Sequence, residues 1–548
     1  MIIRETPQDE NPAKPAPGGL VLVSGDSDRV VTHVARMLRD DGRQVAVLAM
    51  PGMVKEYGVT AEAVTFPLAT DESVKVYPVP EASEEAVERV FQLVLAEEAP
   101  LTGFIHITDK SKGQSAPVDE YFDQNQQESL KIVFLCAKHF VLSFAPDRGL
   151  GFFVSGVRMD GKLGLAGGGD PVQGAYFGLH KSFGIEQDGR ILSKAVDLAG
   201  DLTEEKAAAY LLEEILQTGY LDMEVGRGTD GKRYTLTAAE RYPEIDLAEA
   251  GINSGDVLLV TGGARGVTAA CAVRLAGLYQ CGFMLLGRTD LSGDVQWAGA
   301  TKDKAGLRKL ALAKFVADNP QAKPKPVEIE QMVDAALHHA EIIDTLEAIT
   351  AAGGRVSYFP CDVRDRQGLT AAITKCEQEL GPITGLIHGA GNIADKKIQR
   401  KTLEDFDNVF GTKIDGLEAC LSRIEINKLK YLIMFSSVAG YFGNSGQSDY
   451  AMANEVMNKF AHRFRKEQPG CKTIAVNWGL WDGGSMASDV IRKAAELTDV
   501  RLIPLDVGTK YFAEMFVKDP EVHPSQIVIN YTGVYQKPET PLSMSMVL

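Results

Sequence analysis

The sequence predicts an α/β protein made of two doubly wound parallel sheets, one in each half of the chain. Short apolar segments alternate with amphipathic helical segments from Leu20 onward, and the same alternation restarts at Asp256. This order is typical of parallel strands that are covered by helices on both faces. Because both halves follow one β–α–β plan, the sequence indicates an internal repeat of about 230–250 residues.

Length and composition exclude several classes of protein. A chain of 548 residues predicts two or three domains, and its net charge of −17 argues against binding to nucleic acid or to an acidic membrane. The seven cysteines form no CxxC pair and the one close pair of histidines is His338–His339, so we expect no metal site and a reducing compartment. There is no signal peptide and no apolar run of about 18 residues, which predicts a cytoplasmic protein without a membrane span.

The first half is expected to begin after a linker. Residues 1–18 are rich in proline and charge, as at the start of a domain cut from a longer polypeptide. Residues 19–245 form the first predicted subdomain, and the sequence GTDG near its end predicts a hairpin turn. Its predicted strands are LVLVSG, QVAVLAM, LTGFIHIT, GFFVS and KAVDL, and its predicted helices include Asp28–Gly42, Gln127–Phe144 and Glu204–Leu216.

The second predicted subdomain covers residues 246–540, after a junction within Glu240–Asp256. A helical insertion near residues 300–350, roughly Ala305–Ala352, separates its second strand from its third. Its predicted strands are VLLVTGG, FMLLGR, VSYFPCDV, GLIHGAG, YLIMFSS and TIAVNWG.

A glycine-rich turn follows the first strand of this second subdomain. VLLVTGGARGVT (Val257–Thr268) is an apolar strand that enters a glycine turn and then a helix. Glycines permit a tight turn and a close backbone approach to a pyrophosphate, and the helix N-terminus supplies N–H donors. The alternative is an ordinary strand–helix turn. We predict a dinucleotide site in a Rossmann-like subdomain, formed by Thr261, Gly262, Gly263, Arg265, Gly266 and Val267.

The corresponding turn of the first half lacks this chemistry. Its sequence is SGDSDR (Ser24–Arg29), without the glycines that let backbone approach a phosphate. The first half is therefore predicted to be a truncated, non-catalytic Rossmann-like copy.

Basic residues near the glycine turn indicate which dinucleotide binds. FMLLGR ends at Arg288, where sites that prefer NAD carry an acidic residue for the ribose hydroxyls. An arginine there suits the 2′-phosphate of NADP, and Arg265 adds a second positive charge. A later strand ends at Asp362 and Val363, in a position to meet the adenine. NADPH is the predicted cofactor, and a solvated pair of arginines is the alternative.

Three motifs of the second half, TGGARG, HGAG (His388–Gly391) and FSS…Y…N (Phe435–Asn454), resemble those of the short-chain dehydrogenases/reductases. GTKIDG (Gly411–Gly416), FSSVAGYFGNSGQSDYAMAN and NWGLWDGGSMA resemble more particularly the ketoreductase domains of polyketide and polyunsaturated fatty acid synthases. The resemblance covers most of residues 256–500 and extends to the helical insertion. It implies an NADP-binding short-chain reductase fold, with Gly389, Ala390 and Gly391 at the cofactor.

The first half resembles the non-catalytic Rossmann subdomain that precedes the catalytic one in such ketoreductases. Tyr176 stands roughly where an active copy carries its tyrosine, but His180 follows it four residues later instead of lysine or asparagine. We therefore assign no catalytic role to Tyr176.

Four residues are the predicted catalytic set. A tyrosine with an ordinary pKa near 10 is a slow acid at neutral pH, and we expect the ammonium of Lys413 to lower the pKa of Tyr450. Ser437 is expected to hold the substrate oxygen against the Tyr450 hydroxyl. Asn454 lies four residues after Tyr450, on the same face of a helix. The early lysine and late asparagine follow the arrangement of synthase ketoreductases, as the resemblance implies. Alone, each residue has an ordinary alternative: a core tyrosine, a capping serine or a solvated lysine.

The sequence departs from the family at positions that bear on stereochemistry. Thr268 replaces the last glycine of the loop. Ile393, Ala394 and Asp395 stand where ketoreductases that form the D-alcohol have Leu-Asp-Asp, and Phe442 stands where those that form the L-alcohol have tryptophan. The retained aspartate and the absent tryptophan favour a (3R)-hydroxyacyl product.

By resemblance, the substrate is a β-ketoacyl thioester on an acyl carrier protein, and the other partners are further synthase domains. The basic segment Lys396–Lys401 is a candidate docking site for the acidic carrier, with a solvated helix face as the alternative. The stretch around Asp482–Val500 is expected to form a lid over the substrate. Two other functions stay open: reduction of a free ketone, and a catalytically silent structural or carrier-binding module.

Overall fold

The computed structural model describes residues 2–6, 15, 18–26, 28–57, 74–96, 99–108, 121–144, 149–216, 222–238, 250–299, 301–483, 501–519 and 522–529. We call residues 2–238 the first half and residues 250–529 the second half. Each half contains one sheet whose alternate residues enter two different apolar clusters, so both faces of the sheet are covered as predicted.

The first half contains a nine-stranded sheet in the order β1–β9–β8–β7–β6–β5–β2–β3–β4. The strands are β1 Ile2–Glu5, β2 Leu20–Gly25, β3 Gln44–Ala49, β4 Lys75–Pro78, β5 Leu101–Ile107, β6 Gly151–Val157, β7 Ile191–Leu198, β8 Glu224–Arg227 and β9 Arg233–Thr237. The helices are α1 Asp28–Asp40, α2 Pro51–Tyr57, α3 Glu84–Leu95, α4 Gln124–Ser143, α5 Gly174–Gln187 and α6 Glu204–Leu216. Strands β2 to β8 pair in parallel, and β8 and β9 form the predicted antiparallel hairpin.

One expectation for this half is wrong. Residues 2–5, which the composition assigns to a linker, form the edge strand β1 and pair antiparallel with β9, from Ile2 opposite Thr237 to Glu5 opposite Tyr234. The composition of residues 1–18 could not reveal this strand because its partner lies more than 200 residues away in the chain.

The second half contains a seven-stranded parallel sheet in the order β12–β11–β10–β13–β14–β15–β18, and a two-stranded ribbon of β16 and β17. The strands are β10 Val257–Thr261, β11 Gly282–Gly287, β12 Arg355–Pro360, β13 Gly385–His388, β14 Tyr431–Ser437, β15 Lys472–Trp478, β16 Trp481–Asp482, β17 Ile503–Pro504 and β18 Gln526–Ile529. The helices are α7 Gly266–Tyr279, α8 Lys304–Asp318, α9 Pro326–Ala351, α10 Arg366–Leu380, α11 Leu403–Phe406, α12 Thr412–Leu421, α13 Val438–Phe442, α14 Ser448–Glu467 and α15 Leu505–Glu514.

The two sheets repeat one plan down to side-chain pairs. In the first half Ser24, on β2, lies opposite His106, on β5, and their Oγ and Nδ1 atoms are 3.0 Å apart. In the second half Thr261 lies opposite His388 in the same way, and Thr261 Oγ1 and His388 Nδ1 are also 3.0 Å apart. The repeat therefore extends to a buried hydroxyl–imidazole pair at the carboxyl end of each central strand.

Helices α5 and α14 join the two halves. A Cβ atom added to Gly178, on α5, would lie 2.4 Å from the backbone oxygen of Ala451, on α14, so only glycine permits this approach. Within the same interface Lys181, on α5, is buried between Glu224 of its own half and Glu455 of α14, at 3.1 and 2.5 Å. The two carboxylates outweigh the effect of burial and raise the pKa of Lys181.

The helical insertion forms a hairpin of α8 and α9 with a small core of its own, formed by Leu307, Ala311, Ile329, Val333 and Ala336. Helix α9 also packs against α7 and β12 of the main sheet. At the equivalent place between β3 and β4, the described part of the first half contains the short helix α2. No helix in the described ranges combines the length and apolar character needed to cross a bilayer.

Candidate active site

The predicted catalytic residues meet at the carboxyl end of the second sheet, on neighbouring elements. Ser437 ends β14, and its Oγ accepts a hydrogen bond of 3.1 Å from Ala439 N at the start of α13. Tyr450 and Asn454 lie in the first two turns of α14, and Asn454 Nδ2 donates to Tyr450 O at 2.8 Å. Lys413 begins α12 directly after a π-helical turn, a feature that is frequent at functional sites.

Tyr450 is the centre of this group. Its phenol is hydrogen-bonded by the side chains of Ser437 and Asn454, and Lys413 Nζ lies 5.4 Å from the centroid of its ring. The side chain stays partly exposed, as a group that must meet a substrate requires. Asn454 Oδ1 is buried and, within the described part of the chain, has no hydrogen-bond partner, so the group includes an acceptor for a ligand hydroxyl.

The pKa values differ from what the sequence led us to expect. Burial raises the pKa of Tyr450 and outweighs the hydrogen bonds from Ser437 and Asn454, which lower it. Burial also lowers the pKa of Lys413 to about 7. Lys413 Nζ donates to Phe435 O at 2.9 Å. In this structure, therefore, Lys413 does not depress the pKa of the tyrosine, because the lysine itself loses much of its charge near neutral pH.

The glycine turn has the geometry that a dinucleotide loop needs. Gly262 and Gly266 adopt left-handed φ values of +65° and +64°. A Cβ on Gly262 would lie 3.0 Å from Gly389 O, and one on Gly263 would lie 2.4 Å from Val260 Cγ1. Arg265 precedes helix α7 without capping it by its side chain, and Val267 lies in the first turn of that helix. The backbone of this turn can therefore approach a pyrophosphate closely, and the residues fit a dinucleotide.

A chain of hydrogen bonds connects the glycine turn to the catalytic lysine. Gly389 N and Ala390 N donate to Thr261, at its backbone oxygen and its Oγ1, over 3.1 Å each. His388 bonds Thr261 through Nδ1 and Lys413 O through Nε2, over 3.0 and 2.8 Å. Burial lowers the pKa of His388 to about 3, so its ring is neutral.

Gly391 completes the contact with the lysine, since a Cβ there would lie 3.1 Å from Lys413 Cε. The predicted cofactor loop and the predicted catalytic set are thus parts of one site.

The residues predicted for the adenosine end lie along the carboxyl edges of β11 and β12. Arg288 is exposed, and its guanidinium donates to Asn392 Oδ1 at 3.3 Å. Burial would raise the pKa of Asp362, but hydrogen bonds from Arg364 and the charges of Arg364 and Arg288 lower it. Val363 is buried against α12, where a Cβ on Gly416 would lie 2.5 Å from its Cγ2.

The described residues of the first half form no second copy of this site. Tyr176 is fully buried, and its hydroxyl and His106 Nε2 are 3.0 Å apart. Burial raises the pKa of Tyr176 well above its ordinary value. His180 is also buried and bonds the hydroxyls of Ser155 and Ser193 at 2.8 and 2.9 Å. These side chains form a closed polar core instead of an open site.

Comparison with known proteins agrees with this geometry. Residues 257–483 match the family model described as the KR domain, that is, the ketoreductase domain. The second half carries a KR domain. Such a domain is an oxidoreductase that acts on a ketone with a nicotinamide cofactor, and its matched span contains the glycine turn and all four catalytic candidates.

Among curated relatives, the KR chain is 31% identical over 508 residues to one of the polyunsaturated fatty acid synthase subunits of a Thraustochytrium species. That match covers 90% of this chain and 17% of the relative. The polyketide synthase PksL of Bacillus subtilis is 27% identical over 286 residues, which cover 51% of this chain and 6% of the relative. The chain therefore spans only a small part of the relatives that it matches.

Solved ketoreductase structures share the whole two-part fold. An N-terminal ketoreductase from the macrolactin assembly line has a TM-score of 0.64 at 18% identity, and the match covers 96% of this chain and 89% of that one. A-type ketoreductases from a modular polyketide synthase have a TM-score of 0.62 at 18% identity, with coverages of 96% and 91%. The non-catalytic half is therefore part of the KR architecture.

The candidate carrier patch of the KR chain is smaller than its sequence suggests. Lys401 is fully buried, where its Nζ contacts Asp449 Oδ1 at 2.5 Å and Ala394 O at 2.7 Å. Lys396 is held by Asp405 at 2.8 Å. The expectation that Lys401 faces solvent is wrong because Asp449 compensates its charge in the interior. The predicted lid lies almost wholly outside the described residues, which stop at Gly483 and resume at residue 501.

Sequence reasoning missed a carboxylate that contacts the cofactor loop. Glu341, on α9, accepts a hydrogen bond of 2.9 Å from Gly266 N, at the first residue of α7. The insertion therefore supplies the cap that Arg265 does not provide. Nothing in the local sequence marks Glu341, since it is one of several acidic residues on a long helix.

Proposed function

We propose that the chain reduces a β-ketoacyl thioester, carried by an acyl carrier protein, to the β-hydroxyacyl thioester with NADPH. The observation that carries this proposal is the meeting of Lys413, Ser437, Tyr450 and Asn454 beside a loop that fits a dinucleotide. The thioester substrate and the carrier partner are supported by the names of the relatives, which are polyketide and polyunsaturated fatty acid synthases.

The roles of the residues follow from their chemistry. A bound nicotinamide dinucleotide supplies the hydride that reduces the ketone. Ser437 orients the carbonyl oxygen, and Tyr450 donates the proton to that oxygen. The raised pKa of Tyr450 keeps its phenol protonated at neutral pH, the form that a donor needs. Lys413, in its charged form, stabilises the phenolate that remains after the transfer.

The preference for NADPH over NADH is supported by positive charge at the adenosine end. Arg288 is exposed beside the carboxyl end of β11, and Arg265 lies close enough to His338 and Tyr358 for its charge to lower the pKa of both. Replacement of Arg288 by alanine is expected to raise the KM for NADPH about tenfold and to leave that for NADH unchanged. An equal loss with both cofactors would contradict the role in 2′-phosphate binding.

The (3R) product is supported by the retained Asp395, whose carboxylate accepts hydrogen bonds of 3.1 Å from Gln447 Nε2, and by Phe442 in place of tryptophan. Chiral analysis of the hydroxyacyl product tests this assignment. A (3S) product would overturn it.

The function itself is tested by the consumption of NADPH with a β-ketoacyl thioester on carrier protein. Turnover by the wild-type chain and its loss by about 100-fold or more in Tyr450→Phe, with NADPH binding retained, is the expected result. Binding without turnover on any β-ketoacyl thioester, but with turnover of free ketones, would favour the free-ketone alternative. Absence of both binding and turnover would favour a silent module.

A further inference from the structure

One carboxylate of the non-catalytic half reaches into the catalytic half. Glu186, near the end of α5, is buried and uses both of its oxygens on backbone N–H groups of the second half. Its Oε2 accepts from Ile398 N and its Oε1 accepts from Gly446 N, each over 2.9 Å. The two donors lie in different loops, which Glu186 therefore connects to each other and to the first half.

Both loops border the catalytic tyrosine. We call residues 393–401 the product loop, because they include Asp395, and residues 443–447 the helix-entry loop, because they lead into α14. Lys396 N donates to Gly446 O at 3.1 Å, and Gln447 Nε2 donates to both oxygens of Asp395 at 3.1 Å. The two loops thus form one hydrogen-bonded unit in front of Tyr450.

A buried ion pair connects this unit to the tyrosine. Lys401 Nζ donates to Ala394 O in the product loop and to Asp449 Oδ1 at the start of α14. The same Asp449 oxygen accepts a hydrogen bond of 2.8 Å from Tyr450 N. The separation of the two loops therefore determines where the helix that carries Tyr450 begins relative to the product loop.

Helix α5 holds the helix-entry loop at further points. Ser182 Oγ accepts from Asn444 N at 3.1 Å, and a Cβ on Gly443 would lie 2.6 Å from the backbone carbon of Lys181. A carboxylate that accepts two N–H bonds fixes both donors more rigidly than one neutral acceptor does. Such support, locked by packing and hydrogen bonds, is what holds a reactive group within a fraction of an ångström.

We propose that Glu186 is a positioning residue for ketone reduction: it fixes the product loop against the helix-entry loop and so sets how the ketone is presented to Tyr450. This inference rests on the proposed function. It gives the first half a direct part in the reaction, beyond the stability of the fold.

The test is Glu186→Gln, which preserves the shape but places an amide NH₂ against one of the two N–H donors. We expect kcat/KM for the β-ketoacyl thioester to fall about tenfold and the enantiomeric purity of the product to fall with it. Hydrogen exchange should accelerate at residues 393–401 and 443–450 and stay unchanged at residues 257–268. The Kd of NADPH should also stay unchanged, because the glycine turn does not contact Glu186.

A matched control is Glu214→Gln. Glu214 is a buried carboxylate of the same half, bound to Lys194, Arg227 and Arg233. Its replacement should lower the Tm but leave kcat/KM and enantiomeric purity unchanged. Unaltered loop exchange and unaltered purity in Glu186→Gln would overturn the inference, as would an equal loss of purity in the control. Failure of the wild-type chain to reduce any β-ketoacyl thioester would instead overturn the proposed function, while the exchange measurement still tests the positioning.

Discussion

Lys413 is a residue whose chemistry conflicts with its surroundings. It is 3% exposed, and within the described residues its Nζ is hydrogen-bonded to a carbonyl oxygen, with no carboxylate in a salt bridge to it. Burial lowers its pKa to about 7, so the charged form is disfavoured in the folded protein. The site therefore keeps an ammonium that the packing around it opposes, which is common where function and stability compete.

The first prediction concerns the pH dependence of the reaction. Because Lys413 stabilises the Tyr450 phenolate only while it carries a proton, kcat/KM for the ketone should fall as the pH rises through about 7. The measurement is a pH–rate profile of the free enzyme between about pH 5 and 9, with Lys413→Met as the control that lacks this titration. A wild-type profile that stays flat through this range would contradict the role of the ammonium.

The second prediction concerns stability. The folded pKa of Lys413, about 7, lies below its ordinary value of 10.5, so the unfolded chain binds more protons between these two values. The contribution of this group to stability therefore rises with pH across that window, and its cost is complete below about pH 7. Lys413→Met should raise the free energy of unfolding at about pH 6 by about 1–3 kcal/mol and lessen its increase toward about pH 10. A variant less stable than wild type in mild acid would contradict this argument.

The residues of the site divide into those that the sequence reveals and those that it hides. Lys413, Ser437 and Tyr450 stand within a motif of fixed spacing, and the structure brings them together. Glu186 and Glu341 could not be found in this way. Each acts on a backbone N–H group far away in the chain, 212 and 260 positions for Glu186 and 75 for Glu341, and a carboxylate that accepts from backbone leaves no pattern in the sequence.

At the scale of elements, the close pair of α5 and α14 gives the third prediction. Gly178→Ala should destabilise the protein by about 1–3 kcal/mol, because the new methyl would lie 2.4 Å from backbone atoms of Ala451. The control is Gly277→Ala on α7, where the nearest atom is 4.0 Å away; alanine should stabilise that helix by about 0.5–1 kcal/mol. Chemical denaturation measures both. Equal effects of the two variants would mean that the α5–α14 contact is not tight.

Most strands can be predicted because they are apolar along their whole length. The segments that begin at Leu20, Leu101, Val257 and Tyr431 are buried on both faces of a parallel sheet, and the sequence shows them directly. The short outer strands, such as β4 and β18, escape prediction. Each has only four residues, and its pairing is determined by a neighbour from a distant part of the chain, which local periodicity does not report.

At the scale of the whole molecule, the two halves share one core. Phe134 and Tyr121 of the first half pack against Phe406 and Phe460 of the second, with ring centroids 5.0 and 5.6 Å apart. Glu455 and Lys459, both fully buried on α14, also depend on the first half for their burial, since Lys459 Nζ lies 4.9 Å from the ring centroid of Phe177.

The fourth prediction follows from this shared core. Residues 246–548 expressed alone should be insoluble or inactive, because the apolar and charged groups of α14 would be exposed together. Co-expression with residues 1–245 should restore NADPH-dependent turnover, and the two pieces should elute as one species in gel filtration. A full chain cut by a protease at an inserted site after residue 245 is the control. A soluble and active second half on its own would contradict the prediction.

The contact between Gly178 and Ala451 also limits how such a domain can be recombined. A chimera that exchanges only the second half between two ketoreductases joins an α5 from one parent to an α14 from the other, and any side chain at position 178 would separate them. The exchange would also part Glu186 from the loops that it holds. Hybrids should therefore keep both halves from one parent, with their crossover points outside the whole repeat and not at the junction within it.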